Sequence, residues 1–99
     1  MKQITPAELN IWIDTATPFA LIDVREIWER AQYHIGGTHI PVGELHTRAK
    51  EIPKDLPVIL YCEKGIRSVI AIQRLETMGF NNLYNLAGGM NGWKQAERE

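Results

Sequence analysis

Val58-Ile59-Leu60-Tyr61 is a run of four bulky apolar residues, opened by Pro57 and closed by Cys62. It is too short for a core helix and offers no polar position to turn toward water. Such a run predicts a strand buried on both faces, the situation of a parallel sheet covered on each side. Phe19-Ala20-Leu21-Ile22-Asp23-Val24 repeats the pattern, and Asn82-Leu83-Tyr84-Asn85-Leu86 predicts a last strand. Ile40-Pro41-Val42 predicts a shorter extended piece. Between these runs the apolar residues recur at helical spacing. Strands alternating with helices favour an α/β domain: a mostly parallel central sheet of about five strands, flanked by helices on both faces. No internal repeat, charge block or linker divides residues 1–99, so one domain is expected.

The helices have local signals of their own. Thr5-Pro6-Ala7-Glu8 combines an N-cap, a proline suited to the first helical position and a glutamate that completes a capping box. Leu9, Trp12 and Ile13 then share a face. A second helix is expected to bury Ile27, Trp28 and Ala31 before Gly36-Gly37 breaks it, and a third carries Leu45, Ala49 and Ile52. The strongest runs from Ser68 to Met78, with Val69, Ile72 and Leu75 inward, Arg74 and Glu76 outward, and Gly79 as its stop. A final short helix follows Ala87-Gly88-Gly89 and carries Trp93. Trp12, Trp28 and Trp93 are expected in the core.

Composition mainly excludes. Eleven basic against twelve acidic residues, net charge −1, leave no basic surplus for nucleic acid or a membrane surface. No apolar stretch approaches the ~20 residues that span a bilayer, and no basic start precedes an apolar run. The expected location is the cytoplasm, where a lone thiol stays reduced. The single cysteine excludes an internal disulfide and a multi-thiolate zinc site. The three histidines are scattered, so neither metal nor cofactor is expected. His34 reads as a hydrogen-bonded structural residue, His39 and His46 as surface residues.

Cys62 follows the clearest buried strand and precedes the strongest helix. Ligands of open α/β sheets bind beyond the carboxyl ends of strands, so the cysteine stands where chemistry is expected. A cysteine after a buried strand is often only a small core residue. Here the loop Glu63-Lys64-Gly65-Ile66-Arg67-Ser68 favours a reactive one. Its amides can form an anion-binding nest, the next helix aims its positive end at the same point, and Lys64 and Arg67 add positive charge. Each favours a thiolate. Gly65 permits backbone angles closed to other residues. Arg67 either binds anions or turns inward to a carboxylate such as Asp23 or Glu26; bracing is favoured. Asp23 and Arg25 are expected to support loops at the sheet edge. Lys64 either contacts a donor or is a solvated charge, and Glu63 weakens the positive field.

Four stretches, in order, resemble the rhodanese-like sulfurtransferases in their single-domain form. Leu21-Ile22-Asp23-Val24-Arg25-Glu26 is similar to the family's first strand and Asp-x-Arg signature. Tyr33-His34-Ile35-Gly36-Gly37-Thr38-His39-Ile40-Pro41 resembles its His-Ile-x-Gly-Ala-x-Asn-Ile-Pro segment, with Gly37 where alanine is usual and His39 where asparagine is usual. Tyr61-Cys62-Glu63-Lys64-Gly65-Ile66-Arg67-Ser68 is similar to its active-site loop, and Leu86-Ala87-Gly88-Gly89-Met90-Asn91-Gly92-Trp93 to its Gly-Gly-x-x-x-Trp signature. The match spans about residues 4–95. It implies a rhodanese-like fold and a persulfide on Cys62, loaded by a donor such as thiosulfate and discharged to cyanide or a thiol. Backbone amides of Glu63 to Ser68 would cradle the charge. The implied partners are a small-molecule donor and acceptor, with a protein acceptor as the alternative for a sulfur-relay module. Related phosphatases use a longer loop; the four residues between Cys62 and Arg67 suit a sulfur atom better than a phosphoryl group.

Overall fold

The computed structural model describes residues 1–97. Five strands form one sheet: β1 (Lys2–Ile4), β2 (Ala20–Asp23), β3 (Thr38–His39), β4 (Val58–Tyr61) and β5 (Leu83–Leu86), in the order β1-β5-β4-β2-β3. Every pairing is parallel. Strand alternation divides β4 between two cores. Val58 and Leu60, with Cys62 beyond them, pack with Leu45, Ala49, Ala71, Ile72 and Leu75. Ile59 and Tyr61 pack on the other face with Leu9, Met90 and Trp93. The helices α3 (Leu45–Arg48) and α4 (Ile66–Glu76) therefore cover one face of the sheet. On the other lie α1 (Pro6–Asp14) and α5 (Gly89–Glu97). This is the two-sided covering that the apolar run of β4 demands.

The Thr5 N-terminal signal forms as expected. The Glu8 N–H donates to Thr5 Oγ1 at 3.1 Å, and the Thr5 N–H donates to Glu8 Oε1 at 2.9 Å. These bonds from Thr5 hold the Glu8 carboxyl below its ordinary range.

Several expectations need correction. The chain makes a strand before Thr5, since β1 pairs with β5 along the sheet edge. The short extended piece lies at Thr38–His39, upstream of Ile40–Val42, and Val42 already belongs to a 3₁₀ turn. The third helix is one α-turn between two 3₁₀ turns, although Leu45, Ala49 and Ile52 are all buried. In α2 (Ile27–Gln32) the expected face is reversed. Ile27 and Trp28 are 73% and 62% exposed, Ala31 is exposed, and the buried residue is Glu29. The reason is position: α2 crosses the carboxyl end of the sheet, above charged groups. Ile13 is also exposed, and Val69 is half-buried. Trp93 is buried, and Trp12 is half-buried against Phe19 and Tyr84. No helix among the described residues is long and apolar enough to cross a membrane.

Candidate active site

From β2 the chain moves outward to β3, and from β4 it moves the other way to β5. The direction of winding reverses between β2 and β4, which opens a crevice at their carboxyl ends. Asp23 and Tyr61 are register partners at those ends. Cys62 is the next residue, and it begins the turn into α4.

The sulfur of Cys62 is met by its own loop. The Gly65 N–H donates to Sγ at 3.1 Å and the Ser68 N–H at 3.4 Å. The Ser68 hydroxyl lies 3.4 Å from the same sulfur. Gly65 is the N-cap of α4 at φ +91°, a left-handed angle that turns its amide back toward Cys62. Cys62 is 1% exposed and lies at the base of a depression of about 360 Å³ lined also by Glu29, Glu63, Lys64, Ile66 and Arg67.

The Gly-Gly motif holds this loop from outside. The Met90 N–H donates to the Cys62 carbonyl at 2.8 Å, and the Asn91 N–H donates to that of Glu63 at 2.9 Å. The start of α5 thus uses its free amides on the cysteine loop. Gly89 stands so close that a Cβ there would collide with the Cys62 carbonyl oxygen and reach within 2.8 Å of that of Glu63.

Arg67 braces the loop, but its partner is Glu29 and neither Asp23 nor Glu26. Its two terminal nitrogens donate to Glu29 Oε1 at 2.6 Å and Oε2 at 2.8 Å. Only a two-pronged donor can make this pair. The Arg67 fork holds the Glu29 carboxyl at about 2, against a burial effect in the opposite direction. Glu29 also accepts from the Glu26 N–H at 3.0 Å, so one carboxylate caps α2 and clamps α4.

Asp23 and Arg25 form a second, deeper pair, 0% and 1% exposed. Arg25 Nε donates to Asp23 Oδ1 at 3.0 Å, and Nη2 donates to Oδ2 at 3.1 Å. Nη2 also donates to the Tyr33 carbonyl at 2.6 Å, and Nη1 reaches Glu63 at 3.4 Å. Burial alone would raise the Asp23 carboxyl; the Arg25 bonds and the charges of Arg25 and Arg30 outweigh it and hold it low. Beneath them the Tyr61 hydroxyl donates to the Gly36 carbonyl at 3.0 Å. Burial, then the Asp23 charge, push this phenol up to about 12.

The Arg25–Glu63 and Glu29–Arg67 pairs thus tie the segment after β2 to the loop after β4. Among the described residues that line the depression, this leaves Lys64 as the exposed cation with no carboxylate partner, since Arg67 is held by Glu29. His39 is half-buried, contrary to the surface expectation, because its Nε2 donates to the Arg25 carbonyl at 2.7 Å. His34 accepts from the Gly36 N–H at 2.9 Å, and His46 is exposed.

Sequence reasoning missed Glu29 and Asn85. Asn85 is buried on β5, and its amide oxygen accepts from the Ser68 hydroxyl behind the cysteine. A polar residue inside an otherwise apolar strand is the signal that was available.

Fold and site together define an α/β domain with one cysteine in an amide-lined loop between a central strand and a helix. The rhodanese-like domain model matches residues 5–96, and the chain belongs to that family. It is 33% identical to the thiosulfate sulfurtransferase GlpE of Coxiella burnetii, over 94% of this chain and 87% of that protein. It is 36% identical to the probable adenylyltransferase/sulfurtransferase MoeZ of Mycobacterium tuberculosis over 91% of this chain, but spans only 24% of that protein's length. A rhodanese-related protein of Thermoplasma volcanium superposes with a TM-score of 0.85 at 28% identity, covering 97% of this chain and 93% of that one.

Proposed function

We propose that the chain is a sulfurtransferase, moving sulfane sulfur from a donor such as thiosulfate to an acceptor such as cyanide or a thiol through a persulfide on Cys62. The observation that carries this reading is the convergence of the Gly65 and Ser68 N–H groups on Sγ at the base of the depression. Donors fixed in this way stabilise negative charge on sulfur as bonds form and break. The Cys62 thiolate attacks the outer sulfur of thiosulfate. The sulfur–sulfur bond breaks, sulfite leaves with its electron pair, and the persulfide carries the charge on its outer sulfur. Cyanide then attacks that sulfur, the second sulfur–sulfur bond breaks, and thiocyanate leaves while the pair returns to Sγ. Two half-reactions through one covalent intermediate give ping-pong kinetics.

Glu63, Lys64, Gly65, Ile66, Arg67 and Ser68 form the substrate-binding loop in this reading. Lys64 meets the anionic donor. Arg67, held by Glu29, keeps the loop in shape, and Asp23 and Arg25 support it from below. The likeness to GlpE supports the choice of thiosulfate.

The test is intact mass after incubation with thiosulfate. Wild-type protein gains one sulfur atom, cyanide removes it, and Cys62→Ala never gains it. A wild-type protein that takes no sulfur from thiosulfate or from a persulfide donor would sink the reading.

A second reading, a sulfur-relay module that serves a protein acceptor with weak thiosulfate turnover, is favoured by one observation. Ile27, Trp28 and Ile66 are exposed on the two helices flanking the cysteine loop. Rapid loading with slow thiocyanate release would select it over the first.

A further inference from the structure

Behind Cys62 lies a polar chain that neither the loop nor the ion pairs explain. The Asn85 amide nitrogen points to the Gly65 carbonyl at 3.5 Å and to Gln3 Oε1 at 3.3 Å, Gln3 being its register partner on β1. A backbone carbonyl only accepts, so this end of the amide is the NH₂ group. The opposite end, Oδ1, therefore faces Ser68 and only accepts. Ser68 is fully buried and its hydroxyl has one proton, which it donates to Asn85. Toward Cys62 Sγ, 3.4 Å away, that hydroxyl is left with lone pairs alone.

We propose that Asn85 is a positioning residue for Cys62, acting through Ser68: by taking the Ser68 proton it makes that hydroxyl an acceptor toward the sulfur. The thiol form donates its S–H to Ser68 Oγ. The thiolate keeps the Gly65 and Ser68 amides and receives nothing from the hydroxyl.

The consequence for transfer rests on the persulfide reading above. In the persulfide, Sγ has no proton and the charge sits on the outer sulfur, away from the Ser68 lone pairs. When an acceptor attacks the outer sulfur, the sulfur–sulfur bond breaks and its electron pair passes to Sγ. Ser68 does not help to hold that pair, so Sγ is a poorer leaving group than it would be if the hydroxyl donated to it. Asn85 in this way lengthens the life of the loaded state until a good acceptor arrives.

The test begins without sulfur transfer. Reduced protein is reacted with a dithiodipyridine at pH 6, and the rate is measured for wild type, Asn85→Leu, Ser68→Ala and the double variant. In Asn85→Leu the freed hydroxyl turns to donate to the thiolate. A hydrogen bond to a charged group raises the thiolate fraction about tenfold. The weaker nucleophile gives back about half of that on a logarithmic scale, leaving a rate about threefold higher. In the Ser68→Ala background the same Asn85 substitution changes nothing, because the relay is gone. An unchanged or slower Asn85→Leu, or an equal acceleration without Ser68, would overturn the proposal. Should Asn85→Leu fail to fold, Ser68→Ala decides the sign alone. Its rate holds or rises if the hydroxyl only accepts; a clear fall means that it donates to sulfur, and Asn85 does not hold its proton.

The second arm loads the protein with sulfur and follows its loss to cyanide, which is faster in Asn85→Leu. Equal loss rates overturn the effect on the loaded state. A wild-type protein that never loads overturns the sulfur-transfer reading, while the disulfide-exchange rates still judge Asn85.

Discussion

Glu29 and Asp23 show how differently two carboxylates act at one site. Glu29 is held at about 2 in the folded chain, against an ordinary 4.5, chiefly by the Arg67 hydrogen bonds. A depressed carboxyl contributes stability that is fully present above its unfolded value and is lost as pH falls through the folded one. Wild type is therefore expected to exceed Glu29→Gln in Tm above about pH 5, with the gap closing between pH 4.5 and about 2. A gap that persists unchanged at pH 2 would contradict the pairing. Arg67→Lys loses the fork but keeps the charge. The Arg67 side chain is 38% exposed, so solvent screens part of the pair; about 1 kcal/mol is expected, or ~4–8 °C in Tm. Asp23 is the costlier residue. Asp23→Asn leaves the Arg25 charge buried against a neutral partner, and about 3–5 kcal/mol is expected in urea unfolding. Cys62, its loop, Asp23 and Arg25 could be singled out in the sequence, because each stands at or beside a strand end; the pairing of Asp23 with Arg25 could not be. Glu29 was not, since only the folded chain brings it to Arg67 across 38 residues.

The elements divide in the same way. β2, β4 and β5 were readable because a run buried on both faces has no other stable place in a small domain. α1 was readable through its cap, and α4 through its stripe, with Ala71, Ile72 and Leu75 buried. α2 misled, because an apolar stripe predicts a buried face only where the helix packs on the sheet. Here the helix lies over the ion pairs and turns its carboxylate inward. β1 was missed because three residues at a sheet edge carry no periodicity of their own. The junction of α5 with the cysteine loop is the most sensitive contact between elements. Gly89→Ala sets a methyl group against two loop carbonyls at φ +58°. A loss of about 2 kcal/mol or more is expected, with slower sulfur loading as the loop shifts. Wild-type stability in this variant would show that the contact can yield.

Over the whole molecule, β4 joins stability to chemistry. It is the middle strand of the sheet, touches both cores and delivers Cys62 to the crevice. Leu60→Ala opens a cavity in a fully buried position, and about 2–5 kcal/mol is expected from chemical denaturation. A loss below 1 kcal/mol would mean that this core repacks freely. The sequence by itself determined the α/β class, the parallel sheet, the two-sided burial of β4 and the cysteine at its end. Those properties follow from short-range pattern, since periodicity and capping act within a few residues. Only the tertiary structure decided which carboxylate holds Arg67 and which way the Ser68 hydroxyl points. These are contacts between segments far apart in the chain, and their partners are chosen by where the sheet order sets each strand end.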